Sequence, residues 1–592
     1  MIQNQELEST EMKSASALKF FEQTVNTMEP QGKPVELNQP RLPQAVPTPP
    51  PPPRSNPSMD GQGGKIEEQY IAPAKCGSAE AQAELLLDLG KANATFFHTP
   101  DGEAFASFSV GNRSETTRVK GNRFEQYLGM IFYRHTKKPP KAQAVKEAVA
   151  TLEAEAIYDG TEFQIYTRYA LHQGEIYIDL GDAVRTQIRI TKGGCSMISS
   201  KDSPVKFCWN QGMAPLPLPN FQGSIDQLRQ FLNLENESDW VMMVSWLVSC
   251  MRPEYPFPIL VLQGEQGTAK STTARWLRDL IDPSTVLSQS LPRSERDLVI
   301  AASKSWVINL DNLSSLSPEM SDAFCRISTG GGFRTRALYT DDNERLFNST
   351  RPIIMNGISD FATRHDLADR SIIIQLPPIP KSKRVPEKEL MRNWEKARPL
   401  IFGALCLSVS AALGNIDKVK LPILPRMADF ATWGTAAEPS FGWKPGTFMQ
   451  AHEDNRRRLL EITLDADPIA IAVIRFIQKQ PAYEWSGTGS DLLRLMTMLS
   501  QDLASLKSWP RQPNVLSGRL RRVNASLREK GIEIEWTKSG DRKIHIHLNE
   551  NAFQGTFDHV KPEINAQFPI AQPTSEMLEV PEYDGYEDEL LV

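Results

Sequence analysis

The stretch 261-VLQGEQGTAKSTTARWLRDLIDP-283 constrains the fold more than any other part of the chain. An apolar strand runs into Gly264, a short polar loop follows, and Lys270-Ser271 opens a helix. A strand that passes into a helix through such a loop is a β–α unit, and such units are built around a parallel sheet. Backbone N–H groups of the loop and of the helix N-terminus bind anions. Gly264, Glu265, Gln266, Gly267, Thr268, Ala269, Lys270, Ser271 and Thr272 therefore form a candidate phosphate-binding loop. Lys270 suits the β- and γ-phosphates of a nucleotide and the Ser271 hydroxyl suits Mg2+, so ATP and Mg2+ are the expected cofactors. Ala269 stands where glycine is usual; its methyl group is tolerable if the local φ stays negative. The bland alternative is an ordinary strand–turn–helix corner.

Five apolar runs, 258-PILVLQ-263, 285-TVLSQ-289, 306-WVINL-310, 352-PIIMN-356 and 371-SIIIQL-376, read as strands of one parallel sheet covered on both faces. The third ends at Asp311, which is expected to share the Mg2+ shell with Ser271. Asn312 comes next, where many ATPases of this class carry a second acid. An amide orients water but does not accept its proton at neutral pH, so nucleotide binding is better supported than fast hydrolysis. Asn356 ends the following strand. Arg370 precedes the last strand and Arg364 lies one helix earlier. Either arginine could reach a neighbouring subunit's γ-phosphate, with Arg370 the better placed. The alternative for both is a surface ion pair with Asp366 or Asp369.

This order of loop, acidic strand end, Asn-ended strand and arginine resembles that of AAA+ ATPases. It is more closely similar to superfamily 3 helicases and to the primase-helicases of viruses and phages. The Ala-Lys-Ser form of the loop is similar to that of minichromosome maintenance helicases. The resemblance implies that Asn356 senses the γ-phosphate and that Lys270, Asp311, Asn312, Asn356 and Arg370 make up the catalytic set. Those families carry a basic hairpin just before the Asn-ended strand, where this chain has 329-TGGGFRTRALYTDDNERLFNSTRP-352. Arg334, Arg336 and Arg345 with Phe333 and Tyr339 would grip a single DNA strand in the pore of a homo-oligomeric ring. Asp341, Asp342 and Glu344 dilute the charge and leave an ordinary hairpin open. The runs 175-EIYIDLGDA-183, 212-GMAPLPLP-219, 263-QGEQGTAKST-272, 310-LDNLS-314 and 337-ALYTDD-342 are similar to ATP-binding proteins of bacterial prophages and integrative elements. That resemblance implies a replication or mobilisation ATPase, by analogy alone.

A chain of 592 residues is too long for one core. The expected class is multidomain α/β, with an AAA+ P-loop core over 226–405. A Pro-rich disordered arm (1–72) and an α+β domain (73–225) precede it; a helical connection (406–463), a winged-helix domain (464–549) and a disordered acidic tail (550–592) follow. In the last domain 514-NVLSGRLRRVNASLREKG-531 places Leu516, Leu520, Val523 and Leu527 on one helix face. The runs 532-IEIEWTK-538 and 542-RKIHIHL-548 alternate around a Ser-Gly-Asp turn. Residues 501–547 hold ten Lys or Arg against five Asp or Glu, so Arg519, Arg522, Lys538, Arg542 and Lys543 are candidate contacts to duplex DNA. A winged helix used for protein contacts is the alternative.

The two acids of 178-IDLGD-182 are three apart, which does not suit a metal pair on one strand face, so primase chemistry is not supported. Scattered cysteines, no basic-then-apolar start and no long apolar run point to a cytoplasmic protein without a membrane partner. The expected function is a DNA-dependent ATPase, a helicase-like motor in phage or mobile-element replication, with other replication proteins as partners. The alternative is a nucleotide-gated DNA-binding scaffold with slow or absent hydrolysis.

Overall fold

The computed structural model describes residues 77–111, 113–336, 344–347, 350–357, 364–537 and 542–549; for 333–336, 344–347 and His365 it describes the backbone alone. The expected arm at 1–72 and the tail at 550–592 lie outside the described residues.

Helix α1 (Ala79–Asn93) leads into strands β1 (Ala94–His98), β2 (Ala104–Val110) and β3 (Arg113–Arg118), then helices α2 (Asn122–Thr136) and α3 (Ala142–Tyr158), then β4 (Thr161–Glu162). The sheet order is β3-β2-β1-β4. Ala144, Ala148, Leu152 and Ala156 recur every four residues along α3, and that spacing makes one buried face against the sheet.

Six short strands follow: β5 (Ile165–Tyr166), β6 (Tyr169–His172), β7 (Glu175–Asp179), β8 (Thr186–Thr191), β9 (Gly194–Ser199) and β10 (Lys206–Phe207). Between β5 and β6 the chain turns at Arg168, whose φ is 66°. Strands β6 to β9 form an antiparallel meander. Its inward residues, among them Ile176, Ile178, Ile188 and Ile190, share one hydrophobic cluster with helix α4 (Glu237–Cys250). The stretch expected as one α+β domain therefore contributes to more than one core. Alternation shows which residues of a strand point inward, not what they meet.

The central unit contains β11 (Ile259–Gln263), α5 (Lys270–Ile281), α6 (Glu295–Lys304), β12 (Ile308–Leu313), α7 (Pro318–Thr329), a hairpin of β13 (Phe333–Arg336) and β14 (Glu344–Phe347), β15 (Ile353–Gly357), α8 (His365–Ala368) and β16 (Ser371–Gln375). Its sheet has the order β12-β15-β11-β16 and every neighbouring pair is parallel. All residues of β11 and β15 are buried, as expected for strands covered on both faces. The run 285–289, expected as a fifth strand, makes only a bridge from Gln289 to Leu310. Side chains take the carbonyls a strand would use: Arg278 donates to Val286 and Leu287, and Asn309 Nδ2 donates to Leu287.

Helices α9 (Glu387–Asn415), α10 (Ala428–Ala437) and α11 (Thr447–Ala466) complete the main core, in which Phe402, Trp433 and Phe448 are buried. The stretch expected as a mere helical connection thus supplies core residues. By length and composition the segment Glu387–Lys418 is apolar enough to cross a membrane. Here Ile401, Phe402, Leu405 and Val409 of that segment are buried in the protein core.

The last unit comprises α12 (Pro468–Ile477), β17 (Glu484–Thr488), α13 (Gly489–Leu499), α14 (Gln501–Ala504), α15 (Pro513–Glu529), β18 (Ile532–Trp536) and β19 (Lys543–Leu548). The three strands are antiparallel in the order β17-β19-β18. Leu516, Leu520, Val523 and Leu527 are all buried. Strand β17, EWSGT, has no apolar alternation to announce it; it is held by pairing with β19 and by Trp485 edge-on to Phe476, 5.5 Å between ring centroids.

One buried ion pair joins the meander to the central unit. Arg168 has no exposed surface, and its guanidinium donates to Asp282 Oδ1 and to the carbonyls of Asp179, Leu180, Ala214 and Pro283. Asp282 Oδ2 accepts from the N–H groups of Trp306 and Val307. Removing one member strands a buried charge, so Arg168→Met is expected to cost about 3–5 kcal/mol, read as a lowered denaturant midpoint. A loss under about 1 kcal/mol would mean the pair is not the clamp described here.

Candidate functional site

Strand β11 lies inside the sheet, between β15 and β16, and ends where the glycine loop begins. Gly264 is required there. A Cβ on it would stand 2.5 Å from the Leu376 carbonyl oxygen, and its φ is 145°. Gly267 also has positive φ, 84°. Glu265, Gln266 and Gly267 are exposed, Thr268 is fully buried with Oγ1 donating to the Glu265 carbonyl, and Ser271 and Thr272 are half-buried.

Ala269 caps helix α5 with φ 67°, ψ 25°. The condition on which alanine was to be tolerated, a negative φ, is not met. The loop enters the helix through a left-handed residue, and alanine accepts it at a cost of about 1–2 kcal/mol.

Lys270 is buried and folds back on its own loop, with Nζ 2.7 Å from the carbonyl oxygens of both Gly264 and Glu265. Burial lowers the pKa of its amine from the ordinary value, and the Asp311 carboxylate opposes that shift. Ser271 Oγ donates to Asp311 Oδ1 at 2.7 Å. Neighbouring ligands on an octahedral Mg2+ with bonds near 2.1 Å lie about 3 Å apart. The hydroxyl and carboxylate are thus already spaced, within a few tenths of an ångström, as two ligands of one such ion.

Asn312 sits in a register shift of β12, with φ 59°. Its N–H donates to Asn356 Oδ1 at 3.1 Å. Asn356 is 1% exposed, and its Nδ2 has no hydrogen-bond partner among the described residues. Asn356 pairs in register with Leu262, one residue before the end of β11. Loop, Asp311, Asn312 and Asn356 therefore meet at the carboxyl ends of parallel strands, where α/β sheets bind ligands. An open cleft of about 580 Å³, lined by Gln289, Leu291, Asp311, Asn312 and Ser314, adjoins them.

Arg370 is at the other edge. The Ile259 N–H donates to its carbonyl, at the start of β11. Its guanidinium pairs with Asp366, which Arg426 also contacts. Burial pushes the Asp366 carboxyl up, but hydrogen bonds and charge from Arg370 and Arg426 outweigh it and hold the group below its ordinary value. Arg364 pairs with Asp322 at 3.1 Å. Both arginines thus have carboxylate partners within the chain.

Strands β13 and β14 pair antiparallel, with Arg334 opposite Leu346 and Arg336 opposite Glu344. The side chains of Arg334 and Arg336, and the tip 337–343, lie outside the described residues, as does Lys538. On α15, Arg522 is exposed and Arg519 Nη1 donates to the Ser508 carbonyl; Arg542 and Lys543 are exposed at the start of β19.

Two residues at the loop have no signal in the sequence. Asn233 Nδ2 donates to the Thr268 carbonyl at 3.3 Å and also to that of Pro377, tying the loop to the chain beyond β16. Arg384 Nη2 stands 3.9 Å from where a Gly267 Cβ would be. Its approach to the loop depends on the turn after β16, which local pattern does not specify.

Residues 225–451 match the family model of the actinomycete integrative conjugative element replication protein. Residues 469–561 match the model of the AICE RepA C-terminal domain. Over both stretches the chain is similar to replication proteins of such mobile elements. No curated protein matches it. Among solved structures, the A form apo structure of the NrS-1 C-terminal region is 10% identical, with 80% of this chain and 100% of that chain covered and a TM-score of 0.37. A second apo structure of that region, residues 305–718, is 11% identical over 80% and 99%, with a TM-score of 0.34. Likeness at that level carries no structural argument.

The left-handed Ala269 yields a direct test. Ala269→Val, with a β-branch at positive φ, is expected to lower the denaturant midpoint. Ala269→Gly is expected to raise it by the equivalent of up to about 1 kcal/mol, since strain relief exceeds the added unfolded-state entropy. A valine variant as stable as the parent would contradict this backbone geometry.

Proposed function

We propose that this chain binds ATP with Mg2+ at the Gly264–Thr272 loop and couples its hydrolysis to DNA, as a helicase-like motor in mobile-element replication. The observation that carries the reading is the 2.7 Å approach of Ser271 Oγ to Asp311 Oδ1, beside a buried Lys270. Lys270 would exchange the Gly264 and Glu265 carbonyls for phosphate oxygens. Ser271 and Asp311 would hold Mg2+, which neutralises charge on the β- and γ-phosphates. Asn356 and Asn312 would orient the water and the γ-phosphate, and Arg384 would add a cation over the loop. Contacts to a single DNA strand fall to Arg334 and Arg336. Contacts to duplex fall to Arg519, Arg522, Lys538, Arg542 and Lys543, on a helix and hairpin whose arrangement supports a winged-helix reading.

The position of Arg370 supports assembly. A five-residue strand spans roughly 13 Å, so Arg370 and its own chain's loop stand at opposite edges of the sheet. An arginine so placed acts on a neighbour's nucleotide or on none, which fits a homo-oligomeric ring. Its pair with Asp366 would then open on assembly.

One observation favours the second reading, a nucleotide-gated scaffold with slow hydrolysis. Asn312 supplies no carboxylate, and its N–H is committed to Asn356. DNA stimulation separates the two. ATP turnover is expected to rise with single-stranded DNA and to vanish in Lys270→Ala together with ATP binding. Turnover that ignores DNA, with binding intact, selects the scaffold, and wild-type turnover in Lys270→Ala removes the site.

Arg370→Ala is expected to bind ATP normally and hydrolyse poorly. Mixing it with Lys270→Ala should restore part of the activity, at interfaces pairing one intact loop with one intact arginine. Confirmed oligomers without complementation would leave Arg370 as a plain ion pair.

A further inference from the structure

Away from the nucleotide loop, a cleft of about 120 Å³ opens between β3 and the β7–β8 turn. It is lined by four cations, Arg123, Arg185, Lys201 and Lys206, against two carboxylates, Glu115 and Asp179. Glu115 is already shared by Arg113 and Arg123, at 2.6 and 2.9 Å. Asp179 Oδ1 accepts from the Gly181 N–H. The surplus in the cleft is positive.

Two polar groups there are buried without a hydrogen-bond partner among the described residues, Arg185 Nη1 and Gln187 Oε1. Gln187 is 3% exposed. The Arg185 side chain is 11% exposed, and its one carboxylate contact, to Asp179 Oδ2, is 3.8 Å, beyond hydrogen-bond reach. Its backbone is also strained, with φ 58°. A buried guanidinium nitrogen with a distant carboxylate and no hydrogen bond, at a strained turn, is costly to keep and has a donor to spare. The Trp209 ring stands beneath Arg123 and Arg185, 4.8 and 5.7 Å from their guanidinium carbons, and helps hold both forks in place.

At about 120 Å³ the cleft is smaller than the about 300–1,000 Å³ of pockets that take whole drug-sized ligands, and it has room for a single tetrahedral oxyanion. At the rim, Lys206 Nζ lies 5.1 Å from the centroids of both Phe97 and Phe163, and it has no carboxylate partner among the described residues. Phe163 is 39% exposed; its ring is edge-on to Phe97 at 5.5 Å and carries the Lys206 ammonium, so Lys206 links this exposed ring to the cleft it lines. Cation, oxyanion seat and open ring together are the elements of single-strand recognition.

We propose that this cleft seats a phosphate group of a single-stranded nucleic acid, with an adjoining base stacked on Phe163. Arg185 donates to the innermost oxygen, and Lys201 and Lys206 neutralise the strand at the mouth.

The test uses the whole chain carrying Lys270→Ala, so that phosphate held at the nucleotide loop does not contribute. Anisotropy of labelled oligothymidylate is measured across a range of salt, and thermal unfolding is followed with inorganic phosphate, thymidine monophosphate or oligothymidylate. Lys201→Ala, at an exposed position that does not endanger folding, is expected to weaken oligothymidylate several-fold and lower the log K–log salt slope by about 0.7. Phe163→Ala should weaken it with the slope unchanged. Arg185→Lys should retain more affinity than Arg185→Gln. If inorganic phosphate protects as well as oligothymidylate and Phe163→Ala has no effect, the cleft takes a free anion and the strand assignment is overturned. If Lys201→Ala and Arg185→Gln alter neither ligand's binding, the cleft is merely hydrated and the proposal falls. Because Lys270 is absent throughout, these outcomes do not depend on the nucleotide reading.

Discussion

The buried pair of Arg168 and Asp282 sets the geometry on which the candidate site depends. Asp282 caps the far end of α5, and it holds the N–H groups of Trp306 and Val307 just before β12. Helix and strand run in opposite senses, so a clamp at the amino edge of the sheet fixes their register at the carboxyl edge. There Ser271, at the start of the same helix, meets Asp311, near the end of the same strand. Arg168 extends the clamp to the meander by taking four further carbonyls. The pair's Coulombic gain is largely spent on desolvation; its effect is to specify one arrangement of three segments, because every alternative strands a buried charge.

At the carboxyl edge the backbone is under strain at two non-glycine residues, Ala269 and Asn312, with φ of 67° and 59°. Asparagine tolerates the left-handed region better than alanine does, because its side chain hydrogen-bonds locally. In both places the turn has a consequence for the site. Ala269 turns the loop into α5 so that Lys270 and Ser271 begin the helix. Asn312 interrupts the ladder of β12 and directs its N–H to Asn356. Strain at a site persists where the surrounding structure over-determines it, and here β11, α5 and the buried pair do so.

Much of this site is legible in local pattern. Strand β11, the glycine loop and α5 follow from an apolar run, Gly264 and the helical period after Lys270. Asp311 and Asn356 are marked because each closes an apolar run. The buried face of α15 follows from spacing alone, and Leu516, Leu520, Val523 and Leu527 are where the period predicts. Other features left no such trace. Strand β17 has no alternation, the run 285–289 looks like a strand but has its carbonyls taken by Arg278 and Asn309, and the left-handed turns at Arg168 and Ala269 fall on ordinary residue types.

What the sequence by itself determined is the set of local units: a β–α unit with a glycine loop, acid and amide at strand ends, and a helix-plus-hairpin unit. These depend on period and turn chemistry, which act within a few residues. Only the tertiary structure decided which units share a core, that Arg168 reaches Asp282, that Arg370 faces away from its own loop, and that Arg384 stands over Gly267. Those relations join residues far apart in sequence. They are selected by packing and by the cost of leaving buried charges and carbonyls unpaired, and neither is periodic along the chain.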